Sequence, residues 1–213
     1  MACTATVLLG EVARGGLTRG AHQACDHDLG LHEKYIPGGI VAEGRGQLSI
    51  TFGSSYQTSD GIVDVLEAWW AALEEAEQGA MARLQMKMAN GPDSSGRRTP
   101  CLQRMVAFSD AIGKPIQRLY SPPYHSKYHP SERCWGILAL HWHGTKLVDV
   151  ETRVEWANTM TWRGLHPSVE LRHTLSQKGI ALGKAAMQAV EARLVRHPAL
   201  PKEDILTKPV LTS

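Results

Sequence analysis

Glu132 is the residue around which a chemical reading of this chain forms. It follows Ser121-Pro122-Pro123-Tyr124-His125-Ser126-Lys127-Tyr128-His129-Pro130-Ser131 and precedes Arg133-Cys134-Trp135. A short apolar run ends in two prolines, a basic and aromatic loop follows, and a helix then starts at Pro130 with a carboxylate in its first turn. This layout sets Glu132 at the mouth of a sheet, beside groups suited to phosphate and base contacts. Between Gly91 and Trp135 stand seven Lys/Arg (97, 98, 104, 114, 118, 127, 133) against three acids (93, 110, 132). Arg97, Arg98, Lys127 and Arg133 are candidates for phosphate contacts. Tyr124 and Tyr128 are candidates for base stacking, and His125 lies in the same loop. Each feature also has a plainer explanation. Glu132 could simply favour the positive end of a helix dipole, and the cations could form an ordinary basic surface.

Other chemistries find less support. Cys25, Asp26, His27, Asp28 and His32 follow no common zinc spacing and read as a turn with solvated charges. No phosphate-binding glycine motif stands between a strand and a helix, and no Gly-x-Ser-x-Gly is present. Asp60 and Asp64 sit at a helix start, where capping explains them. The six tryptophans fall mostly on expected helices, where core packing is their default role.

The elements that position Glu132 follow from periodicity. Ala2 to Val12 reads as a strand ended by Arg14-Gly15-Gly16. Ile36 to Ala42 is a second, bent by Pro37-Gly38-Gly39. Leu48, Ile50 and Phe52 alternate with Gln47, Ser49 and Thr51 in a third. Thr58-Ser59-Asp60 opens a helix with Ile62, Leu66, Trp69 or Trp70, and Leu73 on one face, expected to stop at Gly79. Leu84, Met86 and Met88 mark a strand. Thr99 to Ile112 is a helix, Ile116 to Tyr120 a strand, and the Glu132 helix runs from Pro130 to before Gly144. Beyond Asp149 every signal reads as helical: Val150 to Met160, Pro167 onward, and Ile180 to Arg196. The fold class is therefore α/β with a helical tail, without internal repeats or a low-complexity linker.

With 213 residues, 43% of them hydrophobic, the chain can bury one core. Its formal net charge of +2 implies that any nucleic-acid binding comes from local clustering. The cysteines at 3, 25, 101 and 134 form no Cys-x-x-Cys pair and no secretory leader precedes them, so reduced thiols and a cytoplasmic location are expected. No apolar run approaches the roughly 20 residues of a membrane span.

Several blocks together resemble the Rhodopirellula-type transposases, bacterial insertion-sequence enzymes of the DDE type. They are Arg14-Gly15-Gly16-Leu17-Thr18-Arg19, Asp26-His27-Asp28, Phe52-Gly53-Ser54-Ser55 through Thr58-Ser59-Asp60, and Trp69-Trp70. Asn90-Gly91-Pro92 with Ser95-Gly96-Arg97-Arg98-Thr99, the region of Glu132, and Met160-Thr161-Trp162-Arg163-Gly164 complete the set. The resemblance covers nearly the whole chain. It implies an RNase H-like, integrase-like domain: a mixed five-stranded sheet flanked by helices over residues 1–145, with a helical C-terminal extension, 146–213, packed on it.

In such enzymes three carboxylates hold two Mg²⁺ or Mn²⁺ ions, which clamp the attacking and leaving oxygens of a phosphodiester. By the family register the late-helix acid is Glu132, while the first-strand and fourth-strand positions fall on Ala2 and Ala89. The resemblance thus implies an ancestral DNA transposition activity on transposon ends and an expected pseudoenzyme here, with no ion bound. Asp93, four positions after Ala89, stands at the wrong height to replace it; Asp26 and Asp28 are the other carboxylates in question. Family members carry an upstream DNA-binding part, so a truncated copy is expected. Thr4 and Leu8 also depart from the basic residues expected near Ala2, which favours drift over engineered alanines. The alternative is a non-catalytic DNA-binding or partner-binding protein on the same scaffold, and the resemblance leaves a homodimer open.

Overall fold

A computed structural model describes residues 2–3, 7–8, 34–53, 59–88, 99–121, 130–143, 149–172 and 183–210. In chain order they form β1 (Ala2–Cys3), β2 (Val7–Leu8), β3 (Lys34–Ala42), β4 (Gln47–Gly53), α1 (Ser59–Ala71), α2 (Glu75–Ala80), β5 (Leu84–Met88) and α3 (Thr99–Ile112). Then come β6 (Ile116–Tyr120), α4 (Pro130–His141), α5 (Val150–Thr159), β7 (Ser168–Arg172), α6 (Lys184–Glu191), β8 (Leu194–Arg196) and β9 (Asp204–Thr207). The class is α/β, with two mixed sheets that belong to two compact units.

The first unit comprises residues 2–56 and 130–175. Its sheet runs β1-β3-β4-β7, with β2 also pairing with β3. β1, β2 and β4 lie antiparallel to β3, and β7 is parallel to β4. The alternation in β4 buries Leu48, Ile50 and Phe52, as a half-buried strand requires. On α4, Ser131, Cys134, Trp135 and Leu138 recur at helical spacing and are buried. α5 starts at Asp149, whose Oδ1 accepts from the Thr152 N–H at 2.7 Å; that bond holds the carboxyl below its ordinary range. Arg153 of α5 is fully buried, its guanidinium carbon 5.7 Å from the Tyr35 ring centroid and 6.0 Å from those of Phe52 and Trp142.

The second unit comprises residues 57–129 and 176–213, together with Met1. Its sheet runs β5-β6-β9-β8. β5 and β6 are parallel, joined through α3 as a crossover, while β9 is antiparallel to both β6 and β8. α3 packs on α1, with Phe108 edge-on to Trp70 and Arg104 Nη2 2.6 Å from Asp64 Oδ1. Gly113 ends α3 at φ 63°, a left-handed position that favours glycine.

Two expectations are corrected. The helix expected to run to Gly79 breaks after Ala71, and α2 starts anew at Glu75. The Gln78 amide turns back and donates to the carbonyls of Trp70 (2.8 Å) and Leu73 (3.2 Å), satisfying acceptors that the helix end leaves open. Of the expected first strand, Ala2–Cys3 and Val7–Leu8 are described, and both are strand. The segment beyond residue 146 is not wholly helical. Ser168-Val169-Glu170-Leu171-Arg172 alternates with period two and pairs with β4 where a helix from Pro167 was expected. α6 ends at Glu191, because Leu194–Arg196 folds back as a hairpin with Asp204–Thr207.

The C-terminal strands are fastened by Asp110 at the end of α3. Arg193 Nη2 lies 2.6 Å from its Oδ1, and the Val210 N–H donates to the same oxygen at 2.7 Å. The Arg193 hydrogen bond, with help from Val210 and against some desolvation, holds the Asp110 carboxyl below its ordinary 3.8. A carboxyl depressed by folding stabilises above its unfolded value and loses that contribution as pH falls through its folded value. Asp110→Asn should therefore melt a few degrees below the parent at neutral pH. The gap should close below pH 3.8, in a series of melting curves taken into acid.

Candidate active site

Of the residues singled out by sequence, Glu132, Arg133 and the backbone position of Ala2 are described. Ala89, Arg97, Arg98, Tyr124, His125, Lys127 and Tyr128 lie outside the described residues, as do Asp26, Asp28, His32 and Asp93. Glu132 occupies the first turn of α4 and is half-buried; Arg133 beside it is exposed. Both belong to the first unit, as does Ala2. In the second unit, β5 ends at Met88, the residue before Ala89. The Ser121 N–H donates to the Met88 carbonyl at 3.1 Å, which levels the ends of β5 and β6.

One close contact sets α4 against the strand that pairs with β1. Ala2 stands opposite Gly39 in the antiparallel register. A Cβ built on Gly39 would lie 2.6 Å from both Cη2 and Cζ2 of Trp135. The indole therefore rests directly on the β3 backbone, and only a residue without a side chain admits it. Trp135 is three residues beyond Glu132, so the two share a face of α4. The register position of Ala2 and the helix carrying Glu132 thus meet at one glycine. Sequence reading treated Pro37-Gly38-Gly39 only as a bend and Trp135 only as core; the usable signal was a glycine within a strand, which often marks a close approach.

Cys134 lies in the same turn of α4. Burial pushes its thiol up to about 11, while the Arg163 cation pulls in the opposite direction. It is a packing residue rather than a nucleophile.

A pair of hard divalent cations requires several oxygen ligands. Position 132 carries an oxygen-bearing side chain, while positions 2 and 89 are alanines. Among the described residues no group of three His, Cys, Asp or Glu could hold a metal ion. The described residues by themselves assemble no two-ion site.

The family model of the Rhodopirellula transposase DDE domain matches residues 1–209. The chain belongs to this family. No curated protein and no solved structure matches it. Among the described residues no helix is long and apolar enough to cross a membrane.

Gly39→Ala should cost about 1–3 kcal/mol, the usual penalty for forcing an atom into a packed contact. Denaturant unfolding measures it, and adding Trp135→Phe should recover part of the loss. An unchanged midpoint in the single variant would mean that the indole is not seated on β3.

Proposed function

We propose that this transposase DDE domain descends from a metal-dependent strand-transfer enzyme and no longer performs the phosphodiester chemistry. The supporting observation is the ligand set. Glu132 supplies one negative charge where two divalent ions bring four positive, and alanine methyls cannot replace water around Mg²⁺ or Mn²⁺. In this reading Ala2 and Ala89 are the emptied ligand positions, and Glu132 is the remaining one. Residues 1–145 hold the catalytic-type elements, and 146–213 complete them.

The finer fold in this reading is RNase H-like, with a mixed five-stranded sheet flanked by helices. Connectivity within each unit supports it. The first unit has β1, β3 and β4 in antiparallel order, and the second has β5 and β6 parallel through a helical crossover.

The partner retained in this reading is DNA, gripped through its backbone by Arg97, Arg98, Lys127 and Arg133, with Tyr124, His125 and Tyr128 at the bases. A non-catalytic DNA-binding role on this scaffold follows if the basic residues outlast the acids. Arg133, exposed beside Glu132, favours that reading.

Nicking of labelled duplex DNA in Mg²⁺ or Mn²⁺ tests the proposal. The chain as it stands should leave the duplex intact. Ala2→Asp with Ala89→Asp should gain metal-dependent cleavage, and Glu132→Gln in that background should return it to zero. Cleavage by the unaltered chain that Glu132→Gln abolishes would overturn the inactive reading.

A further inference from the structure

The turn at Trp162-Arg163-Gly164-Leu165 is built in an unusual way. The Trp162 N–H donates to the Leu165 carbonyl at 2.8 Å, and the Leu165 N–H returns to Trp162 at 3.0 Å. Both central residues are left-handed, Arg163 at φ 51° and Gly164 at φ 82°. This is the two-residue hairpin geometry that asparagine and glycine usually occupy. Arg163 is the one non-glycine residue with positive φ among the described residues. A bulky side chain held in that conformation invites a functional explanation.

The side chain is also well placed. Arg163 is exposed, while its guanidinium carbon lies 5.5 Å over the ring of the buried Trp162. Its aliphatic stem crosses the β3–β4 turn: a Cβ on Gly46, itself at φ 67°, would be 3.4 Å from Arg163 Cδ and 3.9 Å from Nη1. Gly46 follows Arg45, and the turn also holds Glu43, both exposed. Arg163 makes no ion pair among the described residues. A planar cation stacked on indole, fixed by its turn and lacking a carboxylate partner among the described residues, is pre-organised for a two-pronged hydrogen bond to a phosphate.

We propose that Arg163 is a phosphodiester-contacting residue, on a nucleic-acid surface that includes the β3–β4 turn. This rests on the reading of the domain as a DNA-binding protein, and it adds a contact on the first unit outside the Gly91–Trp135 basic segment. The strained turn then has a purpose: it holds the guanidinium against Trp162 and Gly46 rather than letting it sweep through solvent.

The test is fluorescence anisotropy of a labelled random-sequence duplex across a salt series. Arg163→Gln should weaken binding and reduce the slope of log affinity against log salt by about one. Arg163→Lys should keep the slope. Arg163→Gly should lose the slope as Gln does yet melt no lower than Arg163→Gln, because glycine relieves the left-handed strain. A purely structural arginine would not separate binding from stability in this way. If the unaltered chain binds and both charge-removing variants keep its slope, this assignment fails while the DNA reading stands. If the unaltered chain shows no salt-dependent binding, both fail. If Arg163→Gln spares duplex binding but abolishes binding to poly-glutamate, the surface serves an acidic protein instead, and the proposal is overturned.

Discussion

The contact of Trp135 with Gly39 is the constraint on which the arrangement of the first unit depends. A helix can approach a strand backbone to van der Waals distance only where the strand lacks a side chain. Here the largest side chain available lies on the smallest residue, with Cη2 and Cζ2 2.6 Å from where a Cβ would be. The contact fixes the height of α4 over β3. Through the Ala2–Gly39 pairing it also ties the α4 turn bearing Glu132 to β1. Cys134, Leu138 and Trp142 extend the same buried face along the helix.

Charge inside the two units is handled in contrasting ways. Arg153 is fully buried but faced by three aromatic rings, whose quadrupoles attract a cation. Arg118, on β6 in the second unit, is also fully buried. Its Nη2 reaches Thr207 Oγ1 at 3.2 Å, while Nε and Nη1 have no hydrogen-bond partner among the described residues. A guanidinium cannot escape by losing its proton. Burial pushes the neighbouring Tyr120 phenol up to about 12, with Arg118 pulling the other way.

Fold and chemistry place different demands on a sequence. A sheet requires apolar residues at alternate positions and tolerates alanine at either end of a strand. A two-ion site instead requires particular oxygen atoms at particular places. Periodicity and site chemistry are therefore carried by different residues, and the family is legible across residues 1–209.

The sequence by itself determined much of the secondary structure. Gln47–Gly53, Leu84–Met88, Thr99–Ile112, Ile116–Tyr120 and Pro130–His141 follow from period and capping, because those signals act between near neighbours. The family and the Glu132 position were likewise legible in local blocks. Tertiary structure alone decided what depends on distant partners. Ser168–Arg172 is a strand because β4 offers it an edge. Leu194–Arg196 leaves the helical path because Asp204–Thr207 pairs with it. The first long helix breaks where Gln78 returns to cap it. Gly39 and Arg163 acquired meaning only when Trp135 and Gly46 came to lie against them, since a close approach joins residues whose separation in the chain leaves no periodic trace.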